Sequence, residues 1–328
     1  MKQISKGTRF SGVAACLGRL GGLAALAGLV GCASTPAAGP EAVGGTDGLY
    51  EGRPDLIFNT EMPVQSAEEA NARATQALRE GSTDLALYLY AQAVKLDPQD
   101  AESFYMIGSI HEQRANPESA ARAYTRVLGL EPEHAPALQG LGVAFFDTRD
   151  LDSAQETLSR AVSADPTLWR AHNVLGVIAD SRSDHATATQ HYSDALLRQP
   201  RSASILNNRG YSHYLAGDLG AAAEDFLAVV EIDPNYNLAW QNLGLVYARQ
   251  RKYGMAISTL SHVVSRHAAL NDVGYIAMLD SDFDAASRLF DEAIRVSPRY
   301  YETAEQNVVE LERRRAEAVT TSAATAAR

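Results

Sequence analysis

Along most of this chain apolar residues recur at i, i+3, i+4 and i+7, in short runs that polar residues interrupt at regular intervals. Residues 135–168 show the unit. Leu138, Leu141, Gly142 and Phe145 share one face of a first helix, and Asp150 stands where a helix start needs a capping oxygen. Ala154, Leu158 and Ala161 then share one face of a second helix. Asp165-Pro166 closes the unit, because proline has no amide with which to continue a helix.

The unit repeats. Pro98, Pro132, Pro166, Pro200 and Pro234 stand 34 residues apart, and so do Gly108, Gly142, Gly176, Gly210 and Gly244. Ala86, Ala120, Ala154, Ala188, Ala222 and Ala256 make a third mark in phase. This period predicts an all-α stack of helix–turn–helix pairs, each too small to bury its apolar faces alone. The capping slot between the paired helices holds Ser82, Asn116, Asp150, Asp184, Asp218 and Asp282, and only Lys252 departs. A mid-helix glycine costs roughly 0.5–1 kcal/mol relative to alanine. Each is therefore expected to allow two helices to approach closely, with the alanine of the second helix facing it.

The pattern resembles the tetratricopeptide repeat (TPR), most plainly at Trp240, Leu243-Gly244, Tyr247, Tyr253 and Ala256. Seven such motifs are expected, at 67–100, 101–134, 135–168, 169–202, 203–236, 237–266 and 267–300, or about seventy per cent of the chain. The first carries Arg73 and Ala74 in place of Leu-Gly, which suits a terminal repeat. The sixth is four residues short and lacks its proline, so its junction with the seventh should depart from the others. The array is placed at 66–300, followed by a polar capping helix at 301–317 that covers the last repeat and a disordered Ala/Thr tail at 318–328.

The front of the chain is of another kind. Lys2, Lys6 and Arg9 precede the apolar run Leu20 to Val30, the layout of a secretory signal over residues 1–31. The run is too short for a bilayer span, which takes roughly 20 apolar residues. Its end, Leu29-Val30-Gly31-Cys32, resembles the bacterial lipobox. That resemblance implies acylation of Cys32 and cleavage before it, and Ala33 in place of an aspartate implies the periplasmic face of a Gram-negative outer membrane. Residues 32–65 read as a flexible tether rich in Ala, Gly, Pro and Thr, with a reach of about 30 Å. Tyr50, Leu56, Ile57 and Phe58 interrupt it, either docking on the first repeat or forming a segment for a partner.

Charge and chemistry narrow the function. Removing the four basic residues Lys2, Lys6, Arg9 and Arg19 leaves 25 against 40 acidic ones, a net −15. Such a chain is a poor ligand for nucleic acid and for an anionic membrane surface, so the lipid on Cys32 must do the anchoring. Cys16 leaves with the signal, so neither a disulfide nor a catalytic thiol remains. Asp280-Ser281-Asp282-Phe283-Asp284 has alternating acids, but Ala285 fills the glycine slot of a calcium loop and Asp291 the glutamate slot. The eight histidines show no ligand spacing, and His111 and His213 fall on packing positions. No catalytic residue, metal or cofactor is expected.

By the TPR resemblance, partners meet the first helices at the fifth, ninth and twelfth motif positions. These place Tyr105, Ser109, Glu112, Gln139, Val143 and Phe146, then Asn173 and Val177, on a concave groove. Asn207, Tyr211, Tyr214, Gln241, Leu245, Asn271, Tyr275 and Met278 continue it. Amides beside aromatic rings suit an extended peptide or a helix. The carboxylate clamp of some TPR proteins is not expected: Asn208 and Asn242 fit part of it, but Arg170 stands alone.

The layout, with Leu270-Asn271-Asp272-Val273-Gly274-Tyr275 and Ser297-Pro298-Arg299-Tyr300-Tyr301, resembles the TPR lipoprotein of Tad (Flp) pilus assembly systems. That implies an adaptor for a secretin or pilus components. Pilotin-like lipoproteins of type IV pili are similar, and a scaffold for hydrolases or for outer-membrane protein insertion is the other expectation.

Overall fold

The computed structural model describes residues 64–326, and the signal, the Cys32 lipobox and all but the last two residues of the tether, with Tyr50 to Phe58, lie outside them. Every regular element among the described residues is a helix. Seven pairs follow one another: α1 (Ala67–Arg79) with α2 (Thr83–Leu96), α3 (Ala101–Gln113) with α4 (Pro117–Leu130), and α5 (Ala135–Asp147) with α6 (Leu151–Ala164). Next come α7 (Trp169–Ser181) with α8 (His185–Arg198), and α9 (Ala203–Leu215) with α10 (Leu219–Ile232). The last pairs are α11 (Asn237–Arg249) with α12 (Tyr253–Leu260), and α13 (Arg266–Leu279) with α14 (Phe283–Val296). A final helix, α15, spans Glu302–Ala326. It runs past Glu317, where the sequence suggested a disordered tail, because alanine prolongs a helix as readily as it fills a coil.

The turn inside each pair is built the same way seven times. Asn116, Asp150, Asp184, Asp218 and Asp282 each accept a hydrogen bond from the amide three residues on, while Ser82 and Lys252 cap nothing with their side chains. Just before each cap the backbone turns left-handed, at Gly81, Ala115, Arg149, Ser183, Gly217, Arg251 and Ser281, with φ from 53° to 84°. The cap amide then reaches back five residues, as Asn116 N does to His111 O at 3.0 Å and Asp184 N to Ala179 O at 3.0 Å. This is the Schellman closure, here leading straight into the next helix.

Two compact units divide the described residues, 64–200 and 201–326. In the first, Leu87, Tyr90, Phe104, Ile107 and Tyr124 are buried together, and Leu138, Leu158, Leu175 and Ile178 form a neighbouring cluster. In the second, Phe226, Leu243, Leu260, Leu270, Val273, Phe290 and Leu311 form one core.

The repeating glycines do permit close packing, though not against the alanines. A Cβ on Gly108 would lie 2.7 Å from Tyr124, on Gly176 2.6 Å from Tyr192, and on Gly244 2.5 Å from Leu260. Each obstructing side chain stands four residues after the marker alanine, one turn further along the second helix. Small and large residues thus alternate across the pair, and glycine houses the large side chain of its partner.

The short sixth repeat loses its length from its second helix: α12 has 8 residues where the other second helices have 14. Turns at 261–264 replace the missing end. The phase survives, since Gly274 still receives Phe290 at 2.9 Å. The final helix packs on the last repeat, burying Ala304, Asn307 and Leu311.

Candidate functional site

Within each unit, consecutive first helices touch one another directly, α3 with α5 and α5 with α7 in one, α9 with α11 and α11 with α13 in the other. Their shared side is therefore the tight side of each row, where the groove was expected. In residues 64–200, Tyr105 is half-buried, its ring 5.8 Å from that of Tyr124 and 5.2 Å from His134. Glu112 accepts from the Tyr124 hydroxyl at 2.9 Å and from Arg170 Nη2 at 2.5 Å. Burial, then the Glu112 charge, pushes both tyrosine hydroxyls above their ordinary pKa. Arg170 is thus already held by a carboxylate from two repeats earlier, and that occupies the cation that fitted part of the clamp. Phe146 and Asn173 are half-buried, while Val143 is buried.

In residues 201–326, Tyr211 and Tyr214 stack with centroids 6.2 Å apart, and Tyr214 accepts from Arg249 Nε at 3.4 Å. Arg249 also meets Asp280. Gln241 and Tyr275 are half-buried on the same first-helix row. Asn207, Leu245, Asn271 and Met278, expected to be exposed, are not: they are 6, 8, 0 and 1 % accessible. Asn207 accepts from Asn242 Nδ2 at 3.2 Å, and Asn271 accepts from Asn307 Nδ2 of α15 at 2.8 Å. The capping helix therefore removes Asn271 from any groove.

These contacts reassign the recurring amide at the fifth motif position. Gln139 Oε1 accepts from Ala171 N at 3.2 Å, and Asn71 joins Ser103 and Asp100 at 2.5 and 2.6 Å. At Asn71, Gln139, Asn207 and Asn271 the amide stitches a first helix to the one that follows. A buried amide left without that partner would cost about 1–3 kcal/mol, so the position is tied to packing before it can serve recognition.

The acids of residues 280–284 are likewise committed. Asp280 meets Arg249, Asp282 caps α14 and accepts from the Tyr253 hydroxyl at 2.9 Å, and Asp284 meets Arg315. They serve the turn of the seventh repeat and two inter-helix bridges. Arg249, Arg209 and Asp225 were not singled out by the sequence; Arg209 holds Asp225 through two bonds of 2.9 and 2.7 Å, with its own pKa raised chiefly by that carboxylate. Their partners lie 16 to 31 residues away, beyond any local pattern.

A family model described as the tetratricopeptide repeat matches residues 105–168, 140–196 and 173–237. The fold is that of the tetratricopeptide repeat. It is similar to a crystallised tetratricopeptide repeat protein of Parabacteroides merdae at 14 % identity, covering 76 % of this chain and 99 % of that one, with a TM-score of 0.51. PilF of Pseudomonas aeruginosa matches at 15 % identity, over 74 % of this chain and 97 % of that one, at 0.48. YrrB, a tetratricopeptide repeat protein with a peptide-binding site, matches at 18 % identity, over 66 % and 96 %, at 0.46. Such a fold is a scaffold suited to protein–protein interaction. No helix among the described residues is long and apolar enough to cross a membrane.

Proposed function

We propose that this chain is a lipid-anchored adaptor that holds protein partners in the periplasm, on the inner leaflet of an outer membrane. The observation that carries this reading is Leu29-Val30-Gly31-Cys32 at the end of a short apolar run, placed before a tether and an array of tetratricopeptide repeats. Acyl chains on Cys32 supply the anchor, which a net acidic array does not supply by charge. Residues 32–65 give the array its reach.

The partner class is a pilus or secretin apparatus of the Tad (Flp) kind, supported by the resemblance over Leu270 to Tyr275 and Ser297 to Tyr301. Within the array, Tyr105, Phe146 and Asn173 form the contact surface of the first unit. Tyr211, Tyr214, Gln241 and Tyr275 form that of the second. Asn207, Leu245 and Asn271 support it from beneath.

Metabolic labelling with an alkyne fatty acid tests the anchor: the wild type takes up label and floats with outer membrane, and Cys32→Ser does neither. Label-free wild-type protein would end the lipoprotein reading. Deleting the gene should abolish secretin multimers and surface pili; pili that persist beside altered porin or peptidoglycan levels would favour a scaffold for envelope biogenesis. Tyr211→Ala with Tyr275→Ala should lower partner recovery while leaving the helical circular dichroism intact, and unchanged recovery would move the site elsewhere.

A further inference from the structure

One repeat departs from the others at three positions that meet in space. The fourth motif position carries Phe104, Leu138, Leu206, Trp240 and Leu270 in other repeats, but His172 in the fourth. On the facing helix, the slots that hold Thr157 and Arg160 in the third repeat hold His191 and Asp194 here. His172 lies in the first turn of α7 and is 8 % accessible, while His191 and Asp194 stand three residues apart on one face of α8 and are half-buried.

We propose that His172, His191 and Asp194 form a binding site for a divalent transition metal of the zinc class. Nδ1 of His172 lies 3.3 Å from Nδ1 of His191 and 3.9 Å from Oδ2 of Asp194, and the three ligand atoms all fall within 4.8 Å of one another. Two nitrogens bound at about 2.0–2.1 Å to a tetrahedral ion stand roughly 3.3 Å apart, which is the spacing of the imidazole pair. A small rotation of Asp194 brings its oxygen to the same distance.

The surroundings suit a bound cation. Gln190 donates to the other oxygen of Asp194 at 3.1 Å, orienting the carboxylate and leaving Oδ2 for the metal. Three protein ligands leave a fourth position. His172 and Asp194 border a surface cleft of about 490 Å³, lined also by Pro166, Leu197 and Arg198, from which water can complete the coordination.

This ion is independent of the adaptor reading, since it concerns one repeat and no partner. Untagged, chelator-treated full-length protein is titrated with zinc chloride in a calorimeter and with cobalt(II) in a spectrophotometer. One equivalent should bind, with the visible bands of four-coordinate cobalt. His191→Gln and Asp194→Asn should each weaken binding at least tenfold, while His185→Gln, nearly two turns before His191 on the same helix and paired with Asp180, should leave it unchanged. Circular dichroism confirms that the variants fold. Absence of stoichiometric zinc binding by the wild type, or binding that survives the His191→Gln, Asp194→Asn double variant, would overturn the site.

Discussion

Arg170 donates to Glu112 at 2.5 Å across an entire intervening repeat, and the same carboxylate receives the buried Tyr124 hydroxyl at 2.9 Å. Glu112 thereby ties α3, α4 and α7 together in the first unit. Glu112→Ala should leave the Tyr124 hydroxyl without its acceptor and cost about 1–3 kcal/mol. Glu112→Gln keeps an acceptor and should cost less. Thermal unfolding of both variants decides this, and equal midpoints would show that the tyrosine does not depend on Glu112.

Gly176 and Tyr192 should behave as one unit. Gly176→Ala puts a methyl 2.6 Å from the Tyr192 ring and should destabilise by about 1–3 kcal/mol. In a Tyr192→Ala background the same change should cost almost nothing, because the obstructing ring is gone. A double-mutant cycle by urea unfolding measures the coupling, and additive effects would contradict the packing.

The left-handed turn residues predict opposite signs for opposite substitutions. Gly217 sits at φ 84°, so Gly217→Ala should destabilise by about 1 kcal/mol. Ser183 holds the equivalent place at φ 62°, and Ser183→Gly should stabilise or leave the midpoint unchanged. A melting temperature that falls for Ser183→Gly would argue against a strained turn.

Asp150 and Asp184 make stability depend on pH in a defined direction. Hydrogen bonds from Ser153 and Thr187, respectively, hold their carboxyls below the usual range. Their contribution is complete above the ordinary carboxylate pKa and is lost as pH falls through the depressed folded-state values. Asparagine caps a helix as well but does not titrate. The Asp150→Asn, Asp184→Asn double variant should match the wild type at pH 7 and lose less stability below about pH 4. A wild-type-like acid transition, followed by circular dichroism, would remove these caps as its source.

How much of this could be read beforehand follows the range of each interaction. The helix pairs were legible because Pro98 to Pro234, the glycines and the caps all act within one unit. What each glycine accommodates was not, since the side chain that fills the space belongs to the facing helix and bears no fixed identity: Tyr124, Leu158, Tyr192, Phe226, Leu260 or Phe290. The left-handed turns were also hidden, because five of the seven carry Ala, Arg or Ser instead of glycine. The fifth-position amides were taken for recognition groups because they recur on the expected face. Their true partners, such as Asn242 for Asn207 and Asn307 for Asn271, lie 35 and 36 residues on. The sixth repeat hid its change too: four missing residues fix the phase but do not say which helix yields them.

The Asn271–Asn307 bond has a consequence for how such a chain can grow. Asn307 reaches back by just over one repeat period, so α15 sits where the leading helix of another pair would sit. That seat is taken. New copies gained by duplication can slip in upstream of Arg266 without disturbing the lid, whereas one added after Val296 would first have to evict it.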